Sequence, residues 1–374
     1  MADPSTSPPL TRASVEAAHK LIKPYIHETP MLTNTTLNRL ASTPRTAAEL
    51  EGSEWAGRTP AKPVLRFWFK CENFQKIGAF KARGAFHAIE RLKQEPGWAE
   101  SGGREKGVVT HSSGNHAQAL SYAASLSSIP AHIIMPRIST PSKVAATRSH
   151  TPHIYFSGST STEREALTAE VMSRTGARLV PPYDHPDIVL GQGTAALELL
   201  SQFAAHPTNA ARGKSSPDAI ITPCSGGGLL SGTALACSGT TTLVFGAEPS
   251  FQGADDGRRG FAAGERITTV SSLTIADGLR TPVGKIPWSI IYERGLVKGM
   301  YSVSEDEIKK TLRLVYERMK IVVEPSAVVG LAVALFNEEF RAMVEKEAGE
   351  EGWDLGVVFS GGNINLDKLG ELIA

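Results

Sequence analysis

Residues 219–232 read AIITPCSGGGLLSG: a short apolar run, three consecutive glycines, then a return to apolar residues. The run at 219–222 fits a strand covered on both faces, and the residues from Leu229 onward fit a helix. Between them, Gly226, Gly227 and Gly228 let several backbone N–H groups converge on one anion, the nest geometry of phosphate sites. The stretch has neither the lysine and spacing of a P-loop nor the G-x-G-x-x-G pattern. A flexible linker is the competing reading, and the flanking strand and helix residues speak against it.

The same strand–turn–helix order recurs outward in both directions. Strand candidates lie at 65–69, 108–110, 132–135, 243–247 and 357–359, with helical patterns at 79–92, 117–126 and 162–174. Alternation of this kind predicts an α/β fold with a largely parallel sheet. Ser304 and Glu307 spell a capping box, followed by Ile308, Leu312, Val315 and Met319 on one helix face. Residues 41–62 are polar, contain Pro and Gly, and read as a surface loop or insertion. Residues 1–14 read as a frayed tail, without the apolar stretch of a secretory signal.

Composition excludes several classes. The chain has 374 residues, 41% hydrophobic and 21% charged, with a formal net charge of +1. That length favours two lobes, and the absence of a basic block argues against nucleic acid as a partner. No apolar run approaches the ~18 residues a membrane span needs. Cys71, Cys224 and Cys237 are too few and too irregular for a disulfide framework or zinc knuckle, so a reducing, cytoplasmic compartment is expected.

Two further segments carry reactive side chains at strand-to-helix turns. In Lys76–Gly84 (KIGAFKARG), Lys81 opens a helix, where N–H groups and the dipole favour an anion. An ordinary solvated lysine is the alternative. In His111–Ala117 (HSSGNHA), Ser112, Ser113, Asn115 and His116 form a dense hydrogen-bonding patch suited to a carboxylate, or a plain helix N-cap. Residues 191–196 (GQGTAA) mimic a dinucleotide fingerprint, but the segment before them contains prolines and reads poorly as a strand, so they are set aside.

Taken together, these motifs resemble the fold-type II pyridoxal-phosphate (PLP) enzymes, most closely the serine racemase and serine/threonine dehydratase family. The likeness runs from about His27 onward, omitting 41–62, and includes segments 74–84, 112–119, 191–198, 224–232, 274–280, 324–327 and 360–363. It implies two open, twisted, mostly parallel sheets with helices on both faces. A large domain (residues 1–106 and 186–374) would bind the cofactor, and a small mobile domain would span 107–185. A homodimer is implied, and no regulatory domain is expected after Ala374.

The resemblance also implies roles. Lys81, with Phe80 beside it, would form the Schiff base and serve as base on one face. Asn115 would bond the ring hydroxyl, and Ser225, Gly226, Gly227, Gly228 and Leu229 would wrap the phosphate. Ser360 would bond the pyridine nitrogen, with Gly278 and Glu324 nearby. Ser112, Ser113, Asn115 and His116 would receive the substrate carboxylate, and Arg164 and Thr281 its far end. Ser113 on the opposite face could return a proton and invert the centre. Glu248, Asp256 and the Ala254 carbonyl match ligands for Mg²⁺ or Ca²⁺.

The implied activity is dehydration with loss of ammonia, racemisation, or both, on serine, threonine or a related 3-hydroxy amino acid. β-Replacement and a PLP-binding homologue without turnover are the alternatives. Ile77, Ala79 and Ser225 depart from the usual Thr, Ser and Gly, and extra residues separate Ser250 from Ala254. Arg164 and Arg280 could favour a second carboxylate, as in 3-hydroxyaspartate; a solvent-facing pair is the other reading.

Overall fold

The computed structural model describes residues 6–112, 114–158 and 160–373. Among them ten strands form two sheets: β1 Met31–Leu32, β2 Leu65–Cys71, β3 Val108–His111, β4 Ala131–Pro136, β5 Ile154–Ser157, β6 Arg178–Leu179, β7 Ala219–Pro223, β8 Leu243–Pro249, β9 Gly299–Val303 and β10 Trp353–Phe359. One sheet runs β1-β2-β10-β7-β8-β9 and the other β5-β4-β3-β6. Only β1 is antiparallel to its neighbour. Every residue of β10 and β7 is buried, as parallel strands covered on both faces require.

The six strands foreseen from sequence are all present, each longer by one to four residues. β1, β5, β6 and β9 were not foreseen. The helix after Ser304 spans Glu305–Met319 with its capping box formed, and Ile308, Leu312 and Val315 are fully buried. Two expectations are corrected. Residues 41–62 are not merely a surface loop: Thr46 and Glu49 cap a short helix, Ala47–Leu50, and Leu50 and Trp55 are buried. The N-terminal tail is shorter than expected, because Thr11 caps a helix, Arg12–Ile22, that buries Ser14, Val15 and Ala18. No helix among the described residues is long and apolar enough to cross a membrane.

Three helices position the site. The 20-residue helix Pro186–Ala205 packs against Lys81–Lys93 on one side and Gly228–Cys237 on the other. Backbones meet directly at both crossings. A Cβ on Gly191 would lie 2.7 Å from Gly84 Cα, and one on Gly193 would lie 2.5 Å from Gly232 O. The dinucleotide-like glycines at 191–193 therefore serve helix packing. Beneath them, buried Arg83 donates to both Glu72 oxygens (2.7 and 2.8 Å) and both Glu198 oxygens (2.7 Å each), and Lys70 Nζ joins Glu198 at 2.7 Å.

Candidate active site

The loop before Lys81 is built by a tight turn. Ile77 and Gly78 both take positive φ (57° and 71°), and Ala79 then bridges antiparallel to Gly361. The Phe80 N–H donates to Ser360 O at 3.0 Å, which brings the 360–363 segment against the lysine. Lys81 follows as the first residue of its helix. Its Nζ donates to Pro182 O at 2.7 Å and lies 5.2 Å from the Phe80 ring centroid. Burial pulls its pKa down to about 8, because the charged form loses hydration without gaining an anionic partner.

Strand β3 delivers the second segment. The Ser112 N–H donates to Ile134 O, and Gly114 N–H to Ser112 Oγ at 3.3 Å. Asn115 opens the helix Asn115–Leu126; its Nδ2 donates to Glu324 Oε1 at 2.8 Å and its Oδ1 accepts from Asn363 Nδ2 at 2.9 Å. Asn363 also donates to Ile77 O at 2.8 Å, so one amide ties the Asn115 turn to the Lys81 turn. His116 is buried, with Nε2 3.3 Å from Val180 O, and burial with the nearby Lys81 charge drops its pKa to about 3. A neutral ring in that setting donates from Nε2 and leaves Nδ1, buried and unpartnered, as an acceptor. Ser113 lies outside the described residues.

Glu324 adds a second buried polar atom without a partner, its Oε2. Burial, then the Asp277 charge, push its carboxyl up to about 7. Asp277 is ion-paired with Lys143, from the helix Pro141–Arg148 on the four-stranded side, so this pair spans the cleft between the sheets. Gly278 N–H donates to Ser326 Oγ at 3.0 Å beside it.

The glycine turn follows β7, with Gly227 at φ +85° capping the helix Gly228–Cys237. A Cβ on Gly226 would stand 2.2 Å from Tyr183 Cγ, and one on Gly227 2.7 Å from Pro287 Cβ. Side chains are therefore barred there, while the first N–H groups of the helix have no intrahelical acceptor. Ser225 Oγ lies 2.9 Å from Thr281 Oγ1 and donates to Thr281 O, also at 2.9 Å. Arg164 is close enough for its charge to act on both Tyr183 and His111. Arg280 donates from Nε and Nη2 to Thr274 O in its own loop (3.0 and 2.6 Å). These two bonds brace residues 274–280.

These residues fit pyridoxal phosphate: a phosphate cradle that any Cβ would fill, a lysine of lowered pKa, and unpartnered Glu324 Oε2 and His116 Nδ1. A separate carboxylate pair lies at the end of β8. Glu248 accepts from Gly257 and Arg258 N–H (3.1 and 2.8 Å), and Asp256 Oδ2 from Val283 N–H at 3.0 Å. Burial and the Asp256 charge push Glu248 well up, burial raises Asp256 to about 6, and Asp256 Oδ1 is buried without a partner. Two desolvated acids with a spare oxygen fit a hard cation. Among the described residues, no group of three His, Cys, Asp or Glu converges on one point.

Comparison with known proteins agrees with this geometry. The profile of the family described as pyridoxal-phosphate dependent enzyme matches residues 53–361. Serine racemase of Arabidopsis thaliana is 39% identical over 95% of this chain and 94% of its own. L-threo-3-hydroxyaspartate ammonia-lyase of Saccharomyces cerevisiae is 36% identical over 97% of this chain and 96% of its own. The crystal structure of serine racemase from Dictyostelium discoideum superposes with a TM-score of 0.77 at 38% identity, covering 95% of this chain and 99% of that one. The chain belongs to the pyridoxal-phosphate dependent enzyme family.

Proposed function

We propose that this pyridoxal-phosphate dependent enzyme is an ammonia-lyase and racemase acting at the α-carbon of a small 3-hydroxy amino acid: serine, threonine or 3-hydroxyaspartate. The observation that carries the reading is the Lys81 amine, with pKa about 8, in one cleft with a glycine turn that excludes side chains and the helix start at Asn115 and His116. When bound, the cofactor supplies the electron sink that acidifies the α-proton. Lys81 accepts that proton on one face, because an amine with this pKa is substantially neutral near pH 8.

The remaining residues bind and orient. Ser225, Gly226, Gly227, Gly228 and Leu229 hold the phosphate through helix-start N–H groups. Asn115 meets the ring hydroxyl and Ser360 the ring nitrogen, with Phe80, Gly278 and Glu324 around them. A serine is neutral and would not hold a pyridinium as a carboxylate would, so the sink is restrained, which suits coupling proton loss to departure of the β-hydroxyl in the elimination. Ser112, Asn115 and His116 receive the substrate carboxylate, with N–H groups at the helix start contributing. Arg164 and Thr281 meet its far end. Ser113 is assigned the opposite face, where returning a proton inverts the centre.

Glu248, Asp256 and the Ala254 carbonyl would hold Mg²⁺ or Ca²⁺ away from the reacting carbon, in a structural or regulatory role. Residues 107–185 act as a small mobile lobe, closing on the large lobe across the Lys143–Asp277 pair. The active form is a homodimer, and three buried free thiols suit a cytoplasmic setting.

The test is a panel of L- and D-serine, threonine and the 3-hydroxyaspartate diastereomers, with keto-acid detection and chiral product analysis. Keto acid or inverted amino acid is expected from wild type, and neither from Lys81→Ala. Product formation only when sulfide is supplied, or full activity in Lys81→Ala, would overturn the assignment.

A further inference from the structure

Tyr183 belongs to none of the motifs read from the sequence, yet the cleft closes around it. The carbonyl of the preceding Pro182 is the acceptor for Lys81 Nζ. The Tyr183 ring covers the glycine cradle, occupying the space that a side chain on residue 226 would need. The Thr281 side chain, 2.9 Å from Ser225 Oγ, is close enough to act on the Tyr183 hydroxyl. Asp184 pins the far end of the strap by accepting from Lys285 and Ile286 N–H at 3.0 and 2.8 Å.

The chemistry of that hydroxyl is defined by its surroundings. Burial raises its pKa, with the Asp184 charge adding to the effect, and the Arg164 charge acts in the opposite direction. The phenol therefore keeps its proton at neutral pH and lies within the field of a guanidinium. Two neighbouring hydroxyls, Tyr183 and Thr281, offer donors and several lone pairs to a third group.

We propose that Tyr183 is a specificity-determining residue, whose hydroxyl, on a strap anchored at Pro182 and Asp184 and near Thr281 and Arg164, meets the oxygen-bearing side-chain end of the substrate. Its ring bounds the space there, so the cleft admits short side chains ending in hydroxyl or carboxylate. The inference rests on the reading of the cleft as a hydroxy-amino acid site.

The test compares wild-type, Tyr183→Phe and Tyr183→Ala holoenzymes with serine and 3-hydroxyaspartate. Calorimetric titration with malonate, a dicarboxylate that carries no amine, reads binding without turnover. The Phe variant keeps the ring and loses only the hydroxyl. Its KM for 3-hydroxyaspartate should rise about tenfold with a smaller rise for serine, kcat largely retained, and malonate affinity should fall about tenfold, the size of one hydrogen bond. The Ala variant should lose the preference between the two substrates altogether. Equal losses in kcat/KM for every substrate, or unchanged malonate affinity in the Phe variant, would overturn the proposal. If wild type turns over neither substrate, the functional reading fails on that result, while malonate binding still decides the role of Tyr183.

Discussion

Replacing Arg83 with Met tests the support beneath the reactive lysine, two residues along the same helix. The guanidinium is fully buried and makes four bonds of 2.7–2.8 Å to Glu72 and Glu198, plus one of 3.2 Å to Thr194 Oγ1. Met preserves much of the volume but removes the cation that joins two buried carboxylates, leaving Glu198 with Lys70 and His19, and Glu72 with the Thr29 hydroxyl. Removing one partner from a buried ionic cluster costs about 3–5 kcal/mol. For 374 residues, an unfolding entropy of about 2.1 cal/mol/K per residue gives roughly 0.8 kcal/mol/K, hence a Tm drop of about 4–6 °C.

The pH dependence carries the sharper signature. Burial alone would raise the Glu198 carboxyl, but His19, Arg83 and Lys70 together hold it well below the usual carboxylate range. A depressed carboxylate stabilises the fold above its unfolded pKa of about 4.5, and that stability is lost as pH falls. Without Arg83 the Glu198 carboxyl titrates higher, so the variant's deficit should be full near pH 7.5 and shrink as the pH falls below about 4.5 toward about 3. Thermal melts of wild type and variant across that range measure it. A deficit below about 1 kcal/mol, or one equal at both ends of the range, would refute the account of this cluster.

Other consequences are equally direct. Uptake of pyridoxal phosphate by apoprotein, followed by absorbance, should accelerate about tenfold per pH unit below pH 8 and level off above it, because the depressed Lys81 amine is neutral there; a midpoint near 10 contradicts the burial effect. Gly232→Ala sets a Cβ 2.5 Å from Val189 O and 2.6 Å from Gly193 N, and should destabilise by about 1–3 kcal/mol in urea titration. Millimolar Mg²⁺ should raise the Tm of wild type but not of Glu248→Gln, since a ligand bound only to the native state stabilises it; equal shifts in both would remove Glu248 from the cation site.

Where local chemistry dictates local structure, the sequence was readable. Three glycines between apolar runs announce a turn that excludes side chains, and Ser304 with Glu307 announces a helix start, each from adjacent residues. Strands β1 and β6 escaped because two residues carry no period. Leu50 and Trp55 looked like loop residues because their burial depends on remote partners. The same holds within the site. Lys143 and Asp277 lie 134 positions apart, and Asn115 and Asn363 248 apart, so their pairing exists only once the sheets are assembled. Tyr183 carried a weak signal, following two prolines in a segment that resembled neither strand nor helix.

Glycine-to-glycine contact on both flanks of the helix Pro186–Ala205 makes that helix a caliper. One jaw is the helix that begins at Lys81, and the other is the helix that begins at the glycine turn. At both crossings main chain meets main chain, and a Cβ on Gly191, Gly193 or Gly232 would push the helices apart. Surrounding loops are therefore free to differ in what they admit, while the span between the proposed covalent anchor and the proposed phosphate grip is held by the helix between them.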